Sequence, residues 1–332
     1  MATRKLVSKH VNVASGAYVG RDGELWINTL TNTMKISDGT TPGGATLTTD
    51  GGGGASDWAD ITNINNASGP DTVTIGRNAG AVNQGTESVA IGDEAGKTSQ
   101  GVNAVAIGNN AAETNQGASA VSIGDLAGNI SQTAYAVAIG VGAGYDGQKE
   151  SGVAIGKSAG YTTQGASAVA VGVDTGSTNQ AAAAIAIGQL AGNDTQGQSA
   201  ISIGYTAGQT TQGNSAIAIG PNAGNTTQGI DAVAIGVQAG LTTQGQSSVA
   251  IGQDAGQATQ GAESVAIGKG AGKTNQAANS IVINATGLSL NNIVEDTFLV
   301  KPVRGVAGAT LPAGFKQVAY NPTTGEFIYY DA

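Results

Sequence analysis

From Thr72 to Asn284 a branched apolar residue, a small residue and a second branched apolar residue recur as a triplet, nearly always followed by glycine. Val73-Thr74-Ile75-Gly76 returns as Val89-Ala90-Ile91-Gly92, Val105-Ala106-Ile107-Gly108 and Val121-Ser122-Ile123-Gly124, through to Ile281-Val282-Ile283-Asn284. Each of the fourteen copies starts 16 residues after the last, without insertion or deletion. A period this strict marks a repeat architecture. The alternation has the strand period of two. A helix is a poor reading, because every unit carries two glycine slots and each interior glycine costs a helix about 1 kcal/mol.

The second half of each unit is as regular. Ala79-Gly80 recurs as Ala95-Gly96, Ala127-Gly128 and Ala271-Gly272, with lapses at Ala112 and Thr175. Gln84 recurs as Gln100, Gln116, Gln132, Gln148, Gln164, Gln180, Gln196, Gln212, Gln228, Gln244, Gln260 and Gln276 without exception. The slot of Val82 is most often Thr later on (Thr98, Thr114, Thr162). A second short strand over roughly Ala81 to Gly85 fits this half. Gly76 and Gly80 free the backbone at one turn and Gly85 at the other. The slots after Gly76 and around Ala81 vary freely and are expected to face water.

Units of two strands and two turns stack as a parallel β-solenoid. Equivalent slots then lie one above another at ~4.8 Å, and the coils make a rod on the order of 65 Å long. Stacked Gln amides donate to one neighbour and accept from the other, forming the ladders known from stacked strands. An unpaired buried amide costs several kcal/mol, so the column requires those partners. Strand parity puts Val82 and Gln84 on one face, expected to be the inward one. For the first strand two orientations stand open. With Val and Ile inside, a ribbon of Ala faces out, and Ala is a weak strand former unless packed. With Val and Ile outside, two apolar columns face water, far beyond a normal exposed patch. Either face needs a cover, and the simplest is another copy of the rod under closed symmetry.

Ser88-Val-Ala-Ile-Gly92 and Ser264-Val-Ala-Ile-Gly268 resemble the head repeat of trimeric autotransporter adhesins of the YadA type. The resemblance implies an all-β fold, a left-handed parallel β-roll with three chains packed about an axis. That family's repeat is usually shorter and lacks the Ala-Gly-x-Thr-x-Gln-Gly second half. The 16-residue form is more similar to repeats in tail-fibre and spike proteins of marine phages and related viruses. Gly23-Glu-Leu-Trp-Ile-Asn28, Thr29-Leu-Thr-Asn32, Thr33-Met-Lys-Ile-Ser37 and Asp38-Gly-Thr-Thr-Pro-Gly43 read as a hairpin and turn, and resemble the N-terminal module of phage tail-fibre and tropism-determinant proteins. In those, this part commonly attaches the fibre to the particle. A small β cap on the first coil is the plainer reading of the same residues.

Four segments follow: a β module over 1–50, a linker and solenoid cap over 51–71, the β-roll over 72–284, and a C-terminal β cap or tip over 285–332. Gly51 to Gly54 form a flexible joint, and Trp58-Ala-Asp-Ile-Thr-Asn-Ile-Asn65 is expected to cover the open end of the solenoid. In the tail, Thr297-Phe-Leu-Val-Lys-Pro302 reads as a strand ended by proline. Gln317 to Asn321 and Glu326 to Tyr330 flank Pro322-Thr-Thr-Gly325 as a hairpin. This tail is similar to the ends of repeat-bearing fibre proteins of aquatic viruses, some of which continue into a self-cleaving chaperone domain.

Composition narrows the partners. Only 11% of the 332 residues are charged, under half the usual ~25%, and 54 are Gly. Without the period this would suggest a low-complexity linker. A net charge of −9 argues against nucleic acid, which wants Lys and Arg stripes. No Cys is present, so neither a disulfide frame nor a thiolate metal site is expected. His10, the one histidine, reads as a surface residue. Met1 to His10 is basic but lacks the apolar core of a signal peptide, no run of ~20 apolar residues spans a bilayer, and Phe327 to Ala332 is too short for an outer-membrane anchor. These features weigh against an exported adhesin and against membrane insertion.

Candidate chemistry is sparse. Polysaccharide cleavage needs two carboxylates ~5–10 Å apart. Asp93 and Glu94 are sequential and would diverge on an extended strand, and Asp146 and Glu150 fall across a turn. Gly-Gly-x-Gly-x-Asp calcium repeats are missing. Tyr145 and Tyr161 share a column on successive coils and are expected to stack on each other, the alternative being a sugar platform; Tyr135 and Tyr205 stand in other variable slots. Thr162-Thr163, Thr210-Thr211, Thr226-Thr227 and Thr242-Thr243 raise ice binding, but strand parity turns only one Thr per coil outward. No catalytic, cofactor-binding or metal-binding residue is assigned, and the chain is not read as an enzyme. The expected protein is a homotrimeric fibre or spike of a phage-like virion, made in the host cytoplasm. Its N-terminal segment would join a tail or baseplate component, and its far end would meet a host-surface glycan or protein. A cell-surface or secreted trimeric adhesin is the alternative, and a polysaccharide-degrading spike the third.

Overall fold

The computed structural model describes residues 71–302 in full, and the backbone of strands at 25–28, 33–36, 45–46, 317–321 and 326–330. His10, the glycine joint and Trp58 lie outside the described residues. The chain divides into two units, Met1–Thr62 and Asn63–Ala332. In the first, Leu25–Asn28 pairs antiparallel with Thr33–Ile36, which pairs with Ala45–Thr46. The hairpin expected from Gly23 to Ser37 is therefore present. In the second, Gln317–Asn321 and Glu326–Tyr330 form the expected antiparallel hairpin around Pro322 to Gly325.

The repeat region is a parallel β-solenoid of about 14 coils, 16 residues apart, without a helix. The Val-x-Ile strands pair in strict register, Val89 on Val105, Ala90 on Ala106 and Ile91 on Ile107. They belong to one 15-stranded sheet, whose last strand is Phe298–Lys301. The opposite face is shorter. Thr98–Gln100 pairs with Thr114–Gln116, single bridges continue through Ile130 and Asp146, and eight strands run from Thr162–Gln164 to Thr274–Gln276. The corners are laddered as well. Gly92 N donates to Ile75 O at 2.7 Å and Glu94 N to Arg77 O at 2.8 Å, so pairing extends round the coil.

Glycine is required at one corner for two reasons. Gly76 has φ +123°, and a Cβ there would lie 2.5 Å from the carbonyl oxygen of Gly92 on the next coil. Gly80 has φ +56°, and its Cβ would strike the Gln84 amide. Gly85 serves differently: it has no positive φ, and its Cβ would lie 2.5 Å from the Gly101 carbonyl carbon. The left-handed residue of that second corner is the Glu87 column (Asn103, Ser119, Tyr135, Ser151), which carries no glycine and no signal legible beforehand.

The orientation left open by the alternation is settled. Ala90, Ala106, Ser122 and Ala138 are buried, and the flanking Val and Ile point outward. The core is a stack of Ala from the first strand and the Ala79 column, faced by the Gln column. Two sheets this close admit only such small side chains. The expectation that Val82 shares the inward face with Gln84 is overturned: Val82 is 49% exposed and Gln84 is buried. The reason is local. Asn83, Ser99, Asn115, Thr163 and Asn179 take φ between 52° and 58°, and a left-handed residue inside the strand breaks its parity.

At the C-terminal end the core side chains grow. Val282 replaces Ala, Leu299 follows it on the next strand, and Leu290 bridges Ala271. The strand predicted before Pro302 is thus one more rung, reached after a step of 17 rather than 16 residues (Ile281 to Phe298).

Candidate functional site

The most extensive chemical feature is the outward face of the long sheet. On every coil from Val73 to Ile283 two β-branched side chains stand side by side, with the exposure of the Ile column reaching 40% at Ile187. Val173, Val141 and Val237 add single apolar residues on the following corner. A soluble monomer seldom shows a contiguous apolar patch above a few hundred Å². The two columns run side by side in register along all fourteen rungs and so form one continuous apolar strip.

The interior is committed to structure. Gln100 Nε2 donates to Val89 O at 2.8 Å, across the lumen on the other sheet, and to Gln116 Oε1 at 3.1 Å, one coil on. The ladder expected from the Gln column runs unbroken from Gln84 to Gln196 and again from Gln212 to Gln244. Between these stretches Ser202 Oγ donates to Gln212 Oε1 and takes the place of the amide from Gln196. Gln260 and Gln276 keep their backbone bonds, but their Oε1 atoms have no partner.

Two of the acids singled out from the sequence, Asp93 and Glu94, are paired. Arg77 holds Asp93 through two hydrogen bonds, which keep the Asp93 carboxyl below its ordinary pKa. Lys97 bridges Glu94 at 3.0 Å and Glu113 at 3.2 Å. Hydrogen bonds from Asn110, then Asn129 and Lys97, hold Glu113 below the usual carboxylate range against partial desolvation. Asp146 lies exposed on the second face and Glu150 on the corner after it. Among the described residues no group of three His, Asp or Glu is placed to hold a metal ion, and no helix is long and apolar enough to cross a membrane.

Tyr145 and Tyr161 stack with ring centroids 4.8 Å apart and an interplanar angle of 8°. Gly142 clears the space, since a Cβ there would lie 3.2 Å from the Tyr161 ring. Tyr135 and Tyr205 are exposed and isolated from that pair. The threonine face corrects a second expectation. Both residues of Thr210-Thr211, Thr226-Thr227 and Thr242-Thr243 are exposed, because the strand proper begins only at the second Thr and the first lies in a bend. The chain matches no family model, no curated protein and no solved structure.

Proposed function

We propose that this chain is a structural rod that self-associates through its Val-x-Ile face and serves as a fibre or spike of a phage-like particle. The observation that carries the reading is the apolar strip, about fourteen rungs long on a laddered backbone, whose outer face no other described residue covers. Closed threefold packing would bury the strip at an axis and leave the charged and hydroxyl columns facing water. The resemblance to trimeric β-roll heads and to tail-fibre modules supplies the rest. The N-terminal module would attach to a tail or baseplate component, and the rod would present several weak contacts to a host-surface glycan or protein, which add through effective concentration. The rod is read as non-enzymatic, Asp93, Glu94 and Glu113 of its first coils being engaged in ion pairs. Light scattering on a sizing column tests the assembly. A mass near three times 32.3 kDa is expected, and a monomer would overturn the reading.

A further inference from the structure

The strip has a weakness as an interface. Its rungs are nearly identical, so a copy displaced by one coil keeps all but one of its contacts. Val153, Ala154 and Ile155 stack on Val169, Ala170 and Val171, and the same geometry repeats along the rod. Such an interface supplies adhesion and almost no register. A single defined assembly needs a feature that does not repeat.

Two candidates for such a feature stand out among the described residues. One is the charged corner from Arg77 to Asn129, whose groups satisfy each other within the chain. The other is the last coil. There the corner after the Ile281–Asn284 strand carries Leu288, 74% exposed, and the corner before Phe298–Lys301 carries Ile293 and Val294, 76% and 59% exposed. The coil folds inward with Leu290 and Asn292 while turning these three outward. They bracket the end of the strip on both sides. Earlier coils have at most one apolar residue larger than Ala at either corner, such as Val141 between Asp125 and Lys157, or Ile230 between Asn214 and Gln246.

We infer that Leu288, Ile293 and Val294 form a register lock: in the assembled rod they are covered by the same coil of a second copy. The inference rests on the self-association proposed above and adds what aligns the chains. In register, three apolar side chains per chain leave water at one height. One rung out of register, Leu288 meets the corner Gly268-Lys269-Gly270 and Ile293 and Val294 meet Ala277-Ala278-Asn279, which offer no apolar side chain of matching size.

The chain has no cysteine, so single cysteines report pairing cleanly. Chains carrying Val153→Cys are mixed, after dissociation and reassembly, with chains carrying Ile155→Cys on the same rung or Val171→Cys on the next. Disulfides demand Cα atoms within about 7 Å. The expected result is a same-rung to next-rung ratio of at least tenfold, falling toward one when Leu288, Ile293 and Val294 are all changed to Ser. Circular dichroism serves as the folding check, which such exposed positions are expected to pass. A ratio that survives the triple change overturns the lock and leaves self-association standing. A monomeric parent chain overturns both.

Discussion

Gln148 Nε2 donates to Gln164 Oε1 at 2.9 Å, one coil on, and both side chains are fully buried. The same Gln164 amide donates to Val153 O at 2.8 Å and Gln180 Oε1 at 3.1 Å. One residue therefore ties its coil to the opposite sheet and to both neighbours.

Replacing Gln164 by Leu removes these bonds and takes the amide donor from the Val153 carbonyl and from Gln180 Oε1 in the core. A lost buried partner costs about 1–3 kcal/mol for each group left unsatisfied. The expected loss is about 2–4 kcal/mol, concentrated in neighbouring coils, since repeat arrays lose stability locally. Gln276→Leu should cost clearly less, because its Oε1 already lacks a partner. Amide hydrogen exchange resolved by coil checks both. Equal losses at the two positions would mean that the inter-amide bonds contribute nothing.

Thr163 sits at φ +54°, where a β-branched side chain is disfavoured. Asn fills the same slot at Asn83, Asn115, Asn179 and Asn275, all left-handed. Thr163→Asn is expected to stabilise by roughly 0.5–1.5 kcal/mol, part of the ~1–2 kcal/mol that the left-handed region costs an ordinary residue. Thr195 occupies the equivalent slot without a positive φ, so Thr195→Asn should show no gain. Thermal unfolding of the two variants side by side decides it.

These positions also show where the sequence was readable. The triplet Val89-Ala90-Ile91 announces a strand by its period, and the unbroken spacing announces stacking. Which side of that strand faces in depends on the distance between the sheets, set by how far Gln100 reaches to Val89 O, and no local pattern encodes it. The parity argument fails at Val82 because Asn83 adopts left-handed backbone; that Asn is the available signal, which Ser99 and Thr163 in the same slot do not repeat. The fifteenth rung was hidden by the replacement of the Gln slot with Asn292 and by the 17-residue step to Phe298.

The Ala column limits what the lumen accepts. Ala154 is buried against Ala138 and Ala170 in register, and an added Cβ at Gly144 would already lie 3.2 Å from the Ala138 Cβ. Ala154→Leu is expected to cost about 1–3 kcal/mol through overpacking, while Ala154→Ser should cost less, as Ser122 and Ser202 bond Gln amides from the same column. Urea unfolding followed by tryptophan-independent circular dichroism measures the difference.

Glu113 has its pKa lowered from 4.5, and Asp93 from 3.8, by their hydrogen bonds. A carboxyl with a depressed native pKa stabilises the fold above its unfolded value, and that contribution is lost as pH falls through the lowered one. Protection of the coils around Asp93 and Glu113 should therefore fall below about pH 4.5, earlier than that of the coils between Thr210 and Gln244, which hold no such pair. Glu113→Gln should flatten the local pH response. Unchanged protection profiles down to pH 3 would show that the network is too well solvated to matter.

Ile155 and Ile187 stand on the strip at 37% and 40% exposure, so their substitution tests association apart from folding. Changing both to Ser removes apolar area worth on the order of 25 cal/mol per Å² from any buried interface while leaving the intrachain ladders intact. If the strip joins copies of the chain, the double variant dissociates at concentrations where the parent stays assembled, with the circular dichroism of the coils preserved. Tyr135→Ser and Tyr205→Ser, more exposed but outside the two columns, should leave the mass unchanged. Sedimentation velocity of the two sets over a dilution series separates the faces: loss of assembly in the tyrosine variants, or none in the isoleucine variants, would place the contact elsewhere on the rod.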